Sequence, residues 1–419
     1  MLGRRCNLLL VVALFAAPLT ACSGVHRGGY GGRSGFDLIQ RGRYLVTLGD
    51  CTACHSDPTR RDSPFGGGHP VPTPFGTLIA PNITPDVETG IGSWTARQFD
   101  DAVRRGRMPN GKRLYPAMPF PYFARMSAAD VGAIWAYLKT VKPVHHAVVA
   151  DQLPFPLSIR LSMAFWDWLY FRPGEWHATP GKSAAWNRGS YIVSGPGHCA
   201  ACHTPKTFLG GDKRSHELQG YSLQGWFAPD LTSDSAHGLA AWTAADLVQY
   251  LKTGHNRFDA ASGPMAEEVK DSSSGMSAQD LEAIATYLEG QESTSRRRKP
   301  LRPDEPVMVA GAAIYRDVCA GCHEIDGSGV PYLFPNLAGS AAVASREPTT
   351  VLQVILHGAA SVATREEPTG PQMPSYAWQL SDAQVAAVAT YVRNSWGHAA
   401  GVVPESAVHR VRDSAQTSD

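Results

Sequence analysis

Cys51-Thr52-Ala53-Cys54-His55 is the first of three occurrences of one pattern; Cys199-Ala200-Ala201-Cys202-His203 and Cys319-Ala320-Gly321-Cys322-His323 are the others. The spacing has a chemical reading. Two thiols three positions apart reach the two vinyl groups on one edge of a porphyrin and bond to them as thioethers, and the next residue sets an imidazole under the iron. A single such pentapeptide has rivals, a redox dithiol or half a zinc site. Three in one chain argue against both, and a zinc site needs further Cys that the sequence does not supply. The pattern predicts three covalently bound haem c groups, held by Cys51, Cys54, Cys199, Cys202, Cys319 and Cys322. His55, His203 and His323 are the predicted proximal ligands.

The similarity extends outward from each motif, so the chain carries an internal repeat. Upstream lies a short helical stretch: Gly42-Arg43-Tyr44-Leu45-Val46, Gly189-Ser190-Tyr191-Ile192-Val193 and Gly311-Ala312-Ala313-Ile314-Tyr315. Each has Gly on the same helical face as a bulky residue four positions on. Downstream comes an Asn/Asp loop: Pro81-Asn82-Ile83-Thr84, Pro229-Asp230-Leu231-Thr232 and Pro335-Asn336-Leu337-Ala338. Each repeat closes with an amphipathic helix ending Ala136-Tyr137-Leu138, Thr286-Tyr287-Leu288 or Thr390-Tyr391-Val392. The glycine of the first helix would let the last helix cross close by, as a clamp over the haem edge.

The closing helices start alike. Ser127, Ser277 and Ser381 occupy N-cap positions, with Asp130 and Asp280 at the capping-box position three residues on in the first two repeats. Met126, Met276 or Leu380 precedes the cap, and Val131, Leu281 or Val385 follows it by four, which is the pattern of a hydrophobic staple. Leu380 fills the column of Met126 and Met276, so these two methionines read as staple residues and not as iron ligands.

Three other methionines align just before the caps: Met118 in Pro116-Ala117-Met118-Pro119, Met265 in Gly263-Pro264-Met265, and Met373 in Gln372-Met373-Pro374. A neighbouring proline stiffens each loop, and a thioether ligand raises the potential relative to a second His. A lone Met is usually core filler; three aligned copies favour axial ligation by Met118, Met265 and Met373. Met108 is a rival in the first repeat. His255 and His357 fall near one column without a counterpart in the first repeat, which argues against bis-His iron. Iron with both axial positions filled suits electron transfer and has no place for oxygen or peroxide. A multihaem peroxidase would need one haem to lose its Met, and Met265 is the place to look. The sequence holds no Gly-rich nucleotide loop, no Ser/His/Asp set and no zinc motif.

Length and composition fit this reading. The 419 residues exceed one small core and suit several domains, and 18% charged with 43% hydrophobic residues is a globular composition. A net charge of +1 gives no sign of a nucleic-acid partner. At the N-terminus, Arg4 and Arg5 precede an apolar run, Leu8 to Ala17, too short to span a bilayer. Leu19-Thr20-Ala21-Cys22 then resembles a bacterial lipobox, so residues 1–21 are expected to be a signal peptide and Cys22 a lipidated anchor; ordinary signal cleavage nearby is the alternative. Cys6 leaves with the signal, which accounts for all eight cysteines.

The expected organisation is an anchor segment over 22–35, a domain over 36–150, a linker over 151–182, a domain over 183–292, a linker over 293–306, a domain over 307–398 and a tail over 399–419. The first linker is crowded with Phe155, Phe165, Trp166, Trp168, Tyr170, Phe171 and Trp176. It reads as a segment packed on the haem domains, a membrane-interface segment or a docking surface for a partner subunit. The second holds Arg296-Arg297-Arg298-Lys299 and reads as a solvated hinge, with an acidic partner or anionic lipid as the alternative. The tail beyond His398 reads as frayed.

Two stretches carry a family resemblance. Trp186-Asn187-Arg188-Gly189 through His198-Cys199-Ala200-Ala201-Cys202-His203-Thr204-Pro205, with Leu114-Tyr115-Pro116-Ala117-Met118-Pro119, resemble the tri-haem cytochrome c subunit of bacterial membrane-bound alcohol, gluconate and sugar dehydrogenases. The resemblance runs from about Asp37 to Trp396. It implies a mainly α fold of three consecutive class I cytochrome c-like domains with extended loops. It also implies a partner, a catalytic subunit with flavin or pyrroloquinoline quinone on the periplasmic side, and onward transfer to ubiquinone or a terminal oxidase. The family's axial residues correspond to His55, Met118, His203, Met265, His323 and Met373. A free-standing periplasmic electron carrier is the alternative. The lipobox departs from the simplest signal of the family.

Overall fold

The repeated glycine demands a neighbour without a side chain in the way. The computed structural model, which describes residues 35–233, 238–292 and 299–414, supplies one. Helix Gly35–Leu48 crosses helix Ala128–Leu138, helix Ala184–Ser194 crosses Ala278–Glu289, and helix Pro306–Ile314 crosses Asp382–Val392. A Cβ on Gly42 would stand 1.9 Å from the Ala133 carbonyl oxygen, one on Gly189 1.9 Å from that of Ala283, and one on Gly311 2.3 Å from that of Ala387. Backbone meets backbone at equivalent points of the three repeats.

Each crossing carries its own apolar core: Leu45, Phe99, Val131 and Ile134; Ile192, Leu247, Leu281 and Ile284; Leu352, Leu356, Val385 and Val388. Among the described residues the fold is mainly helical, with three small antiparallel hairpins: Pro70–Thr73 with Gly76–Ile79, Gln219–Leu223 with Trp226–Asp230, and Ala359–Ala360 with Gln372–Met373. The staple residues Met126, Met276 and Leu380 are buried in these cores, as the pattern requires.

The caps need one correction. Ser127, Ser277 and Ser381 each accept from the amide three residues on, at 3.1, 3.2 and 3.3 Å. The reciprocal half forms only in the third repeat, where the Gln384 side chain accepts from the Ser381 amide at 2.9 Å. Asp130 and Asp280 turn their carboxylates sideways to arginines instead, because a charged partner outbids a local amide.

The aromatic linker is a strap. Its helix Ser162–Tyr170 buries Trp166, whose indole donates to the Leu209 carbonyl at 2.8 Å and whose ring meets Phe120. Asp167 pairs with Arg113, and the Trp176 indole donates to Ser190 at 3.2 Å, so the strap spans the first two repeats. Leu161, Phe165 and Trp168 remain exposed on its outer face. The tail is not frayed over its described part. Helix Glu405–Ser414 buries Val408 and Val411, and Arg412 bonds Asp382 and the carbonyls of Ala377 and Leu380. Its apolar stripe is only two residues deep, too short to register as a helix in the sequence. The targeting segment, Cys22 and residues 296–298 lie outside the described residues. Among the described residues no helix is long and apolar enough to cross a membrane.

Gly42→Ala should cost about 3 kcal/mol, because an extra carbon at a backbone contact forces the helices apart. Gly132→Ala, on the same helix pair but with nothing within 4 Å of its Cβ direction, should stabilise by about 1 kcal/mol. Urea unfolding of the two variants checks both signs.

Candidate haem-binding sites

Each attachment motif winds into a single helical turn, Cys51–His55, Ala200–His203 and Ala320–His323. The three are entered by different routes. The first reverses at Asp50 with φ 50°, the second at His198 with φ 37°, and the third continues from its opening helix through a π-helical turn, Tyr315–Cys319. The interval from crossing glycine to first Cys differs correspondingly, at nine, ten and eight residues.

The histidines are held identically. The ring Nδ1 of His55 lies 2.8 Å from the Pro81 carbonyl oxygen, that of His203 2.7 Å from Pro229, and that of His323 3.1 Å from Pro335. A carbonyl only accepts, so Nδ1 carries the hydrogen. Burial lowers all three pKa values, His203 to about 4, and a neutral ring with its proton on Nδ1 keeps the lone pair on Nε2. That tautomer, fixed by a bond from the far ring nitrogen, is the one a metal-ligating imidazole requires.

The carbonyls are positioned by the Asn/Asp loops. The Asn82 side-chain oxygen accepts from the Thr84 amide at 2.9 Å, Asp230 from Thr232 at 2.7 Å, and Asn336 from Gly339 at 3.1 Å. In the first two repeats the preceding hairpin delivers the proline; in the third a single bridge, Val330 to Phe334, does so. The sequence displayed these loops without disclosing their task, since the working group is a main-chain carbonyl.

None of the six motif cysteines pairs with another described cysteine in a disulfide, and all but Cys322 are partly buried. Burial, the largest cause, pushes Cys51, Cys54 and Cys199 up to about 12 and Cys202 and Cys319 up to about 11. Such thiols make poor redox nucleophiles. Paired sulfurs on one turn, beside an imidazole presenting Nε2, fit covalent haem instead.

The aligned methionines separate into two kinds of setting. Met118 packs on the core that also takes Cys51, and Met373 on the core that takes Cys319. Met265 opens helix Pro264–Asp271 instead of lying in a loop, and that helix packs on Cys51–His55 of the first repeat. The longer interval between Met265 and Ser277 is taken up by this helix and the turn Ser273–Gly275. Met108 lies in a tight turn, its amide donating to the Lys112 carbonyl at 2.9 Å. His357 donates from Nε2 to the Val411 carbonyl at 3.3 Å, and His255 is buried beside Thr253.

Two buried acids went unnoticed in the sequence. Burial, aided by Glu268, Asp271 and Glu267, pushes Asp50 up to about 9; burial likewise pushes Glu268 up to about 7. They face each other where the first and second motifs approach, and no spacing rule marks a contact between distant repeats.

The cytochrome c family model matches residues 308–396. Over most of its length the chain is similar to the cytochrome c subunit of gluconate 2-dehydrogenase from Pantoea cypripedii, 38% identical over 384 residues that cover 87% of this chain and 86% of that one. It is 36% identical over 398 residues to the cytochrome c subunit of the quinone-linked alcohol dehydrogenase of Gluconobacter oxydans, covering 90% and 82%. It is 35% identical over 404 residues to the cytochrome subunit of fructose dehydrogenase from Gluconobacter japonicus, covering 89% and 82%.

Asn82→Ala strands the Thr84 amide and removes the 2.7 Å bond from Asn82 to the Val144 carbonyl. The expected loss is about 2 kcal/mol, with the midpoint potential of one haem displaced as the Pro81 carbonyl loosens. Denaturation and a spectroelectrochemical titration read the two effects; unchanged potentials would show that the turn does not govern His55.

Proposed function

The chain belongs to the family of cytochrome c subunits of gluconate, alcohol and fructose dehydrogenases, it binds haem c covalently and transfers electrons from a catalytic subunit, and we propose that it does so through three haems in three class I cytochrome c-like domains. The domains span residues 36–150, 183–292 and 307–398. The observation that carries this reading is the threefold recurrence of one arrangement: a helix crossing at glycine, a one-turn motif, and a histidine whose Nδ1 is tied to a proline carbonyl.

Haem iron supplies one-electron chemistry when bound. The chain's own residues do the rest. Cys51, Cys54, Cys199, Cys202, Cys319 and Cys322 fix the groups covalently, and His55, His203 and His323 present Nε2 in a locked orientation. Met118, Met265 and Met373 would supply the thioether ligands in this reading, which would leave no position for a substrate. Electrons enter from a partner subunit carrying flavin or pyrroloquinoline quinone and leave to ubiquinone or a terminal oxidase. Work takes place at the periplasmic face, with the lipidated Cys22 as anchor; the apolar run and lipobox pattern support that placement.

Pyridine haemochrome assay with intact-mass measurement should give three haems per chain; two or fewer would refute the threefold reading. Met265→Ala should change the spectrum and potential of one haem, and no change would assign that position another ligand. Co-purification from native membranes should bring down a dehydrogenase catalytic subunit.

A further inference from the structure

The first two repeats carry residues that the third lacks. Around the crossing glycine, Arg41 and Tyr44 correspond to Arg188 and Tyr191, whereas the third repeat has Ala310 and Ala313. On the closing helix, Asp130 corresponds to Asp280 and the third repeat has Gln384.

The structure uses this set twice in the same way. Arg41 Nε donates to Asp130 Oδ1 at 2.7 Å, and Arg188 donates to both Asp280 oxygens, each at 2.7 Å. The tyrosines cross over. Tyr44 donates its hydroxyl to Asp280 Oδ2 at 2.6 Å, and Tyr191 donates to Asp130 Oδ2 at 2.5 Å. Each buried carboxylate therefore holds the arginine of its own repeat and the tyrosine of the other. Contact of i with j and of j with i is the mark of a two-fold, self-complementary interface, here between two segments of one chain.

The junction sets the two attachment motifs against each other. Helix Pro264–Asp271 packs on helix Cys51–His55. The His198 ring, one residue before Cys199, meets Phe123 edge-on with centroids 5.6 Å apart, and its Nε2 donates to the Gly49 carbonyl at 3.4 Å. Leu48, at the end of the first opening helix, lies in the core of the second repeat.

The third repeat docks by other chemistry. Asp259 accepts from the Ser340 hydroxyl at 2.5 Å and the Ala341 amide at 2.9 Å, and the Thr350 side chain pairs with the Phe227 main chain. No residue there is exchanged reciprocally among the described contacts.

We propose that the first two repeats form one fixed di-haem unit, and that Tyr44, Tyr191, Asp130 and Asp280 are positioning residues that set the distance and orientation between its two haems, with the third repeat attached as a separate centre. The inference rests on the electron-transfer reading with three haems. Exchange inside the unit moves one electron from one centre to the other with no bond made or broken, so the placement of the two motifs is what the protein controls.

The test uses the full haem-loaded chain with Tyr44→Phe and Tyr191→Phe together, which keep both rings and remove only the exchanged hydroxyls. Intact mass first reports haem number, so a failure of the three-haem reading is seen separately. Hydrogen exchange should then rise about tenfold over residues 48–55 and 264–273 and stay unchanged around Gly311. Redox titration should move two of the three midpoint potentials and leave the third in place. Unchanged exchange and potentials would overturn the proposal, as would equal shifts of all three centres. If the double variant fails to load haem, the single Tyr44→Phe variant decides. Its remaining Tyr191–Asp130 bond should give a smaller shift of the same two centres, and no shift overturns the proposal.

Discussion

Everything else hangs on a contact between two backbones. Gly42, Gly189 and Gly311 each let a closing helix approach until its carbonyl fills the space where a Cβ would be. The approach sets the height at which the opening helix ends, and the attachment motif follows that end within ten residues. It also draws the aromatic rings of Tyr137, Tyr287 and Tyr391 onto the same seam, since their Cβ atoms border the glycine site. A larger residue there would move the motif relative to the loop carrying the proline carbonyl. The Nδ1 bond that fixes each histidine tolerates only a few tenths of an ångström before it fails as a hydrogen bond.

The parts of this design that recur were legible in the sequence, because recurrence turns a weak local signal into a column. The glycine, the cap serines and the staple residues were each readable this way, and the structure places Met126, Met276 and Leu380 together in cores and not at a ligand position. Asp130 and Asp280 were misread for the opposite reason. A carboxylate three residues past a cap serine satisfies a local rule, and the rule had no knowledge of Arg41, Arg188 or the tyrosines of the other repeat. In the third repeat neutral Gln384 has no such competitor and closes the capping box. Main-chain acceptors were invisible altogether, as with Pro81, Pro229 and Pro335, because a carbonyl has no letter of its own.

The strap and the tail show how tertiary contacts override a composition reading. Residues 151–182 contain enough aromatic surface to suggest lipid or a partner, yet Trp166 and Trp176 spend theirs on the first two repeats. The exposed Phe165 and Trp168 stack on each other, so part of the remaining apolar surface is covered by itself. The tail helix is polar by composition and is held both by Val408 and Val411 in the third core and by Arg412, whose guanidinium serves one carboxylate and two carbonyls at once. The fork of its donors adds direction to that apolar packing.

The repeats thus share an interior and differ on their surfaces, and the difference has an electrostatic logic. A carboxylate removed from water is costly unless it is bonded on several sides. Asp130 and Asp280 meet that requirement only when both repeats are present, because one of the donors to each comes across the junction. Neither of the two repeats is therefore electrostatically complete alone. The third, with Gln384 satisfied inside its own helix, is complete at that position. Asp50 and Glu268 lie in the same junction, where burial raises both carboxyl pKa values, Asp50 to about 9 and Glu268 to about 7. One chain thus carries two kinds of connection between its repeats, one made of exchanged side chains, the other of Asp259 with Ser340 and Ala341, Thr350 with the Phe227 main chain, and the Lys252–Glu366 ion pair.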